Sequence, residues 1–406
     1  MWQKNIMQKL IIFFLIGSLL QFVQGQQITD AKFGKGMLNF IAKDSSFSVK
    51  FAPRMQSRFE SKWDYDGQSY DSKELNFLVR RARLKFDGFA FSKNFKYKIE
   101  LGLSNRDISG ASSFNRNTPR YILDAVVMWN FHKGFELWAG QTKLPGNIER
   151  VVSSGNLQLI DRSLLNSKFN IDRDMGVQLR HKTKWGGGVV TREKFALSQG
   201  EGRNITEGNE GGLQYTSRFE LLPFGEFKSK GDYSQSDLSR EQSLKAMFSI
   251  TYDYNQNAVK TRSNMGSYMF RADGSLFETD ITTWFVDAMV KYDGFAFMGE
   301  YAKRGADTFF ALERDGQTKT GDVVNTGSAL NLQSSYLFEN NIEMTVRYTT
   351  LDYANETKIA DVSQLTFGLS KYVVGHKLKI QTDLSFSQKN GNQDYVQFRT
   401  GFDLHF

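Results

Sequence analysis

The C-terminal stretch DYVQFRTGFDLHF (394–406) alternates two kinds of side chain. Val396, Phe398, Phe402, Leu404 and Phe406 share one parity, and Gln397, Arg399, Asp403 and His405 share the other. Successive strand side chains point to opposite faces, so this pattern describes a strand lying between an apolar and an aqueous medium. Just upstream, HKLKIQTDLSF sets Leu378, Ile380, Leu384 and Phe386 against Lys377, Lys379, Gln381 and Asp383, and a KNGN turn joins the two segments as a hairpin. Comparable segments recur near 47–63, 76–88, 94–103, 121–131, 135–141, 174–181, 189–198, 212–222, 244–254, 282–292, 295–303, 328–338, 341–351 and 362–372. That makes about 16 strands, an even number of a length suited to a tilted membrane crossing.

The connections divide by length. FENN, KYDG and YVVGH are tight, whereas 255–281, 304–327 and 352–361 are long. Short turns on one rim and long loops on the other are the arrangement of an outer-membrane barrel. A soluble β-sandwich would also alternate, but this many strands would divide into separate domains, and no linker or compositional shift divides them. The fold class read from the sequence is therefore all-β, a transmembrane antiparallel β-barrel of about 16 strands with short periplasmic turns and long outer loops. Barrels of this size leave an aqueous channel. The heptapeptides KFDGFAF (85–91) and KYDGFAF (291–297) read as one short-turn solution used twice. Pro53 removes a ladder donor from the first long strand, and a bulge is expected there.

Residues 1–25 carry Lys4 and Lys9 ahead of an apolar run from Leu10 to Val23 and read as a cleaved signal peptide, too short for a spanning helix. Removing them lowers the formal charge of +8 by two. Residues 26–46 are read as an N-terminal periplasmic segment and 47–406 as the barrel. The chain has no cysteine, so an exported protein of this size is held by packing and backbone hydrogen bonds alone. Thirty-five phenylalanines and thirty-five glycines against four prolines fit strands and turns.

Charge is distributed unevenly over the expected inner face. In LVRRARLKFDG (78–88), Leu78, Ala82, Leu84 and Phe86 are assigned to lipid and Val79, Arg81, Arg83, Lys85 and Asp87 to the lumen, while Arg80 is expected to snorkel toward headgroups. On the preceding strand Lys50, Arg54, Arg58 and Lys62 face inward opposite Phe47, Val49, Phe51, Met55, Phe59 and Trp63. Spaced by four residues, these cations form steps roughly 13 Å apart. Lys96 and Lys98 come from the third strand, and closure brings in Lys377, Lys379 and Arg399. This wall holds twelve bases against five acids (Glu60, Asp87, Glu100, Asp383, Asp403), whereas the opposite wall balances Lys245, Lys291, Arg304 and Arg347 with Asp253, Asp287, Glu300 and Glu343. A one-sided positive field gathers anions, and spaced cations let them pass without being trapped. Ordinary lumen polarity without selectivity is the plainer reading.

The link at 141–173 carries Lys143, Arg150, Arg162, Lys168 and Arg173 against Glu149, Asp161 and Asp172. Its Leu157, Leu159, Ile160, Leu164 and Leu165 would be poorly placed in open solvent, so this third outer loop is expected to fold into the barrel as a constriction.

The segments RRARLKFDG (80–88) and YKIELGLS (97–104), and the loop ending in DRSLLN and DRDMGVQL, resemble the phosphate-selective porins O and P and their Bacteroidetes relatives. The resemblance implies a 16-stranded trimeric porin whose third loop narrows the pore and whose basic ladder conducts anions. Arg54, Arg58, Arg81 and Arg83 would belong to that ladder, and Lys143 and Arg150 to the constriction. Glu149, Asp172 and Asp174 dilute the charge there.

The expected function is thus passive diffusion of small anions, phosphate first, across the outer membrane of a Gram-negative bacterium. A general solute porin and a barrel serving mainly for binding or structure are the alternatives. The expected pathway residues are Lys50, Arg54, Arg58, Lys62, Arg81, Arg83, Lys85, Lys96, Lys98, Lys379 and Arg399. The expected partners are outer-membrane lipid and lipopolysaccharide, small anions and two further copies of the chain, not nucleic acid. No cofactor or metal is expected, since the DxD of Asp172 and Asp174 is too weak a pattern for calcium. An enzyme is disfavoured because His132, His181, His376 and His405 all fall near the inner rim, away from where substrate would arrive.

Overall fold

The structure is a computed structural model and describes residues 27–28, 33–65, 67–208, 212–390 and 394–406. Sixteen strands form the barrel: β1 (Arg54–Tyr65), β2 (Tyr70–Ala90), β3 (Ser92–Gly102), β4 (Ile122–His132), β5 (Phe135–Lys143), β6 (Arg173–Lys184), β7 (Val190–Ser198) and β8 (Gln214–Leu222). They continue as β9 (Lys245–Ala258), β10 (Thr279–Tyr292), β11 (Phe295–Ala306), β12 (Gly327–Leu337), β13 (Ile342–Tyr353), β14 (Val362–Val374), β15 (Leu378–Lys389) and β16 (Tyr395–His405). Each pairs antiparallel with its sequence neighbour, and β16 closes on β1 from His405↔Arg54 to Tyr395↔Asp64. Closure leaves no open edge, as hydrocarbon requires. The expected signal peptide lies outside the described residues. Strands Leu38–Ile41 and Ser48–Phe51 pair with one another, and the latter joins β2 near the inner rim.

The outer surface is the apolar one. Phe77, Leu75, Ile250, Trp284, Val286, Met344, Phe367 and Ile380 are exposed, whereas Thr251, Asp287, Asn331, Gln333, Thr349 and Gln381 are buried. Aromatics at the short-turn rim, including Trp129, Phe131, Tyr292, Phe295 and Tyr336, form the interfacial girdle.

The bulge does not form at Pro53. Pairings Lys50↔Asp87, Phe51↔Phe86 and Arg54↔Arg83 share one register across the proline. The register shifts instead between Gln56↔Arg81 and Ser57↔Val79, and Arg80 is the extra residue. Sequence parity therefore fails above Arg81: Val79 faces lipid at 58% exposure, and Leu78 turns inward opposite Arg58. Arg80 does not snorkel but is buried in the lumen. One extra residue places two consecutive guanidinium groups on the same face, which an unbroken strand cannot do.

The two KxDGFAF heptapeptides also differ. Asp293 and Gly294 form the β10–β11 turn with positive φ at both residues, as a type I′ hairpin demands. Gly88 lies inside β2, where a Cβ would stand 1.9 Å from the Ser48 carbonyl oxygen; glycine there admits the crossing N-terminal strand. The corresponding turn into β3 falls at Phe91.

One inner-rim connection is long. Residues 223–244 link β8 to β9 and rise into the lumen, where Gln235 and Asn156 of the third outer loop bond through their backbones at 3.0 Å.

Candidate functional site: a cationic crescent beside an inward loop

The 144–172 loop enters the barrel and packs on its far side. Leu144, Leu165, Phe169 and Ile171 join Phe285, Ala302, Ala329 and Leu351 of β10–β13 in one apolar cluster, and Ile148, Val152 and Leu157 join Met247, Met289 and Met298 in another. Leu159 and Ile160 are also buried. Two far-wall cations are spent on this seat and two on the inner-rim segment, where Lys245 donates to the Phe224 carbonyl. Arg304 donates to the carbonyls of Lys168, Phe169 and Asn170, and Arg347 donates to that of Asp161. Lys291 donates to the carbonyls of Gly231, Ser234 and Ser236, which fixes the inner-rim segment.

Space remains along the near wall. An outer vestibule of about 670 Å³ is lined by Arg58, Arg80, Arg81, Arg83 and Arg399 from the barrel and by Arg150, Arg162, Lys168 and Arg173 from the inward loop and its exit. The outer loops add Arg106, Arg120, Arg203 and Arg262. These thirteen bases face four carboxylates, Glu60, Asp107, Asp161 and Asp172. An inner chamber of about 220 Å³ shares Arg83, Arg150, Arg162 and Arg173 with the vestibule and adds Lys98 and Lys143.

Asp161, near the loop tip, is the hub of the vestibule. Its carboxylate pairs with Arg58, with Arg80 at 2.8 Å and with Arg81 at 3.1 Å, and Arg399 stands 4.0 Å away. Burial alone would raise its pKa, but Arg80, Arg81 and Arg58 outweigh that and hold it well below the usual carboxylate range. Arg150 and Arg162 move the other way. Burial and the neighbouring guanidinium groups weaken the charged form of Arg150, and burial lowers Arg162 to about 10 despite Glu149. An anion entering this cluster would relieve that repulsion.

The expected pathway and constriction residues take three roles, and Lys143 takes two of them. Arg58, Arg81, Arg83, Arg399, Arg150, Arg162, Lys168 and Arg173 come together at the vestibule, and Lys98 and Lys143 reach the inner chamber. Arg54, Lys143 and Lys379 hold the loop. Arg54 forms a bidentate pair with Asp403 and reaches Ser154 at 2.7 Å; Lys143 donates to the Arg150 carbonyl at 2.7 Å; fully buried Lys379 donates to that of Leu157 at 2.6 Å. Lys62, Lys85, Lys50 and Lys96 sit toward the rims, where Lys62 pairs with Asp64 and Lys85 with Asp87. The wall is not a bare ladder, since Arg58–Glu60, Arg83–Glu100 and Lys98–Asp124 pair within it at 2.8, 3.1 and 2.8 Å.

Arg80, Arg106, Arg120, Arg203 and Arg262 were missed by the sequence reading. Strict parity excluded Arg80, and the other four belong to outer loops whose inward folding has no period to betray it.

A closed sixteen-stranded antiparallel barrel, apolar outside and hydrophilic within, with one loop folded into its lumen, defines a porin-type outer-membrane channel. The model of a family described as phosphate-selective porin O and P matches residues 54–337, and this chain belongs to that family. Its place is the outer membrane of a Gram-negative bacterium, and family and fold indicate a channel rather than an enzyme. The fold is similar to that of the anion-selective porin from Comamonas acidovorans, at 12% identity over 89% of this chain and 100% of that one, with a TM-score of 0.53. It is similar to the outer membrane channel DcaP of Acinetobacter baumannii, at 13% identity over 90% and 99% of the two chains and a TM-score of 0.53. A third likeness is to OprB of Pseudomonas putida, at 8% identity over 88% and 94% with a TM-score of 0.53. Comparison with curated proteins returns no significant match.

Proposed function

We propose that the barrel passes small hydrophilic anions by passive diffusion, phosphate foremost, along the crescent between the inward loop and the near wall. The observation that carries this reading is the vestibule, where twelve arginines and one lysine meet four carboxylates. Such a charge excess on low-dielectric walls concentrates counter-ions. Arginine supports phosphate in particular, because its planar fork binds oxyanions through two bonds at once. The family description points the same way. Arg58, Arg81, Arg83 and Arg399 act as the outer steps, Arg150 and Arg162 as the narrows, and Lys98 as a step toward the periplasm. Lys50, Lys85 and Lys96 guide exit at the inner rim, and Lys62 guides entry at the outer one.

Arg54 and Lys379 belong to the proposal as positioning groups, since their donors are committed to the loop. Assembly as a homotrimer, contact with lipopolysaccharide and cleavage after a signal peptide at 1–25 complete the reading; the exposed apolar band supports lipid contact. The test is phosphate block of chloride current across a planar bilayer. Millimolar phosphate should reduce the current, and Arg58→Ala or Arg83→Ala should weaken that block. Current indifferent to phosphate would make this a general solute porin.

A further inference from the structure

The inner chamber differs from the vestibule in that its wall carries aromatic rings and a larger apolar share. Val126 and Met128 of β4 and Trp138 of β5 line it, although the lumen-facing positions of the adjoining β3 carry Lys98 and Glu100. Met128 and Trp138 are registered partners and remain half-buried, so a solute in the chamber can reach both. The Arg180 guanidinium lies 3.6 Å over the Trp138 ring and donates to Gln178 at 2.6 Å. Arg162 donates to the carbonyls of Glu149 and Val152. Among the described residues neither Arg180 nor Arg162 forms an ion pair with a carboxylate, so both keep charge available to a solute.

Inorganic phosphate gains nothing from such a wall, because a fully hydrated ion loses water against apolar side chains without compensation. A small aromatic carboxylate gains on both sides. Its ring can lie against Trp138 and Met128, and its carboxylate can meet the Nη1 groups of Arg162 and Arg180, whose Nε and Nη2 are already bonded. We propose that the inner chamber is a subsite for small aromatic carboxylates, with Trp138 and Met128 as the platform and Arg162 and Arg180 as the charge partners. This inference rests on the anion-conducting reading and narrows it for the inner half of the path.

Benzoate and acetate are the probes, each added to the intact protein conducting chloride in a planar bilayer, with reversal potential recorded in parallel. Benzoate should halve the current at a concentration about ten-fold lower than acetate, the scale of one favourable aromatic contact. Trp138→Ala should bring the two concentrations together while reversal stays on the anion side. If that variant does not assemble, Met128→Gln should shrink the same ratio. Equal block by both acids in the parent protein, or a ratio that survives both substitutions, overturns the subsite and leaves the anion reading intact. A reversal potential without anion preference in the parent protein would instead remove the reading beneath it.

Discussion

The two halves of the barrel wall obey the same outward rule and use their inner faces differently. On β10 the inward Phe285 and Met289 are apolar and fully buried against the loop, beside the buried polar Thr283 and Asp287, and the outward positions Trp284 and Val286 are apolar too. That wall is a seat for the loop, and its Arg304 and Arg347 clamp loop carbonyls. Around β1–β3 the inward positions are charged, and the loop approaches through Asp161 and Ser154 rather than through hydrocarbon. Apolar contact is strong and needs no space, whereas charge keeps its water and holds space open. The position of the pore within the barrel is therefore decided by which wall the loop can wet.

The most severe way to break this contrast is to charge the seat. Leu165→Glu would bury an unpaired carboxylate beside Phe169 and Phe285, at a cost of several kcal/mol. The loop should leave the lumen, single-channel conductance should rise several-fold and anion preference should fall. Unchanged conductance would show that the loop does not narrow the channel.

Next in size is the hub. Asp161→Asn removes the carboxylate shared by Arg58, Arg80 and Arg81, so phosphate should block chloride current at about ten-fold lower concentration, a change of about 1.4 kcal/mol. Block at the parent concentration would mean that these arginines do not meet the solute. Arg83→Ala, at the junction of the two cavities, should lower the anion-to-cation permeability ratio by a few-fold, measured from reversal potentials. The smallest effect belongs to Lys379→Met. Its ammonium holds the Leu157 carbonyl, so thermal stability should drop by about 1–3 kcal/mol while selectivity hardly moves. A large selectivity loss there would return Lys379 to the pathway.

Strand number, closure and the inward folding of the third loop were legible because two solvents impose a period of two on every strand and because Leu157, Leu159 and Ile160 could not rest in water. The near wall was legible for the same reason on β1, where Arg54 and Arg58 keep their parity. It failed on β2, since parity counting cannot see the extra residue at Arg80. The loop's choice of the far wall was written in β10, whose ITTWFVDAM sequence sets Phe285 and Met289 on the inward face opposite the outward Trp284 and Val286, but an apolar inward patch can be read as a seat only once the barrel is known. The inner-rim segment 223–244 left no trace in the period, and its entry into the lumen depends on partners such as Lys291 and Asn156 that are distant in sequence. The repeated heptapeptides show the same limit: Gly88 and Gly294 share a local sequence and answer different neighbours.

The central claim is that the open crescent is electropositive enough to choose the sign of what crosses it. Reversal potential across a planar bilayer under a potassium chloride gradient tests it most directly, at low salt first, because screening shortens the reach of exposed charges to about 10 Å at 0.1 M. The expected result is a potential on the chloride side that weakens as salt is raised. A potential of zero, or one on the potassium side, at low salt would contradict it.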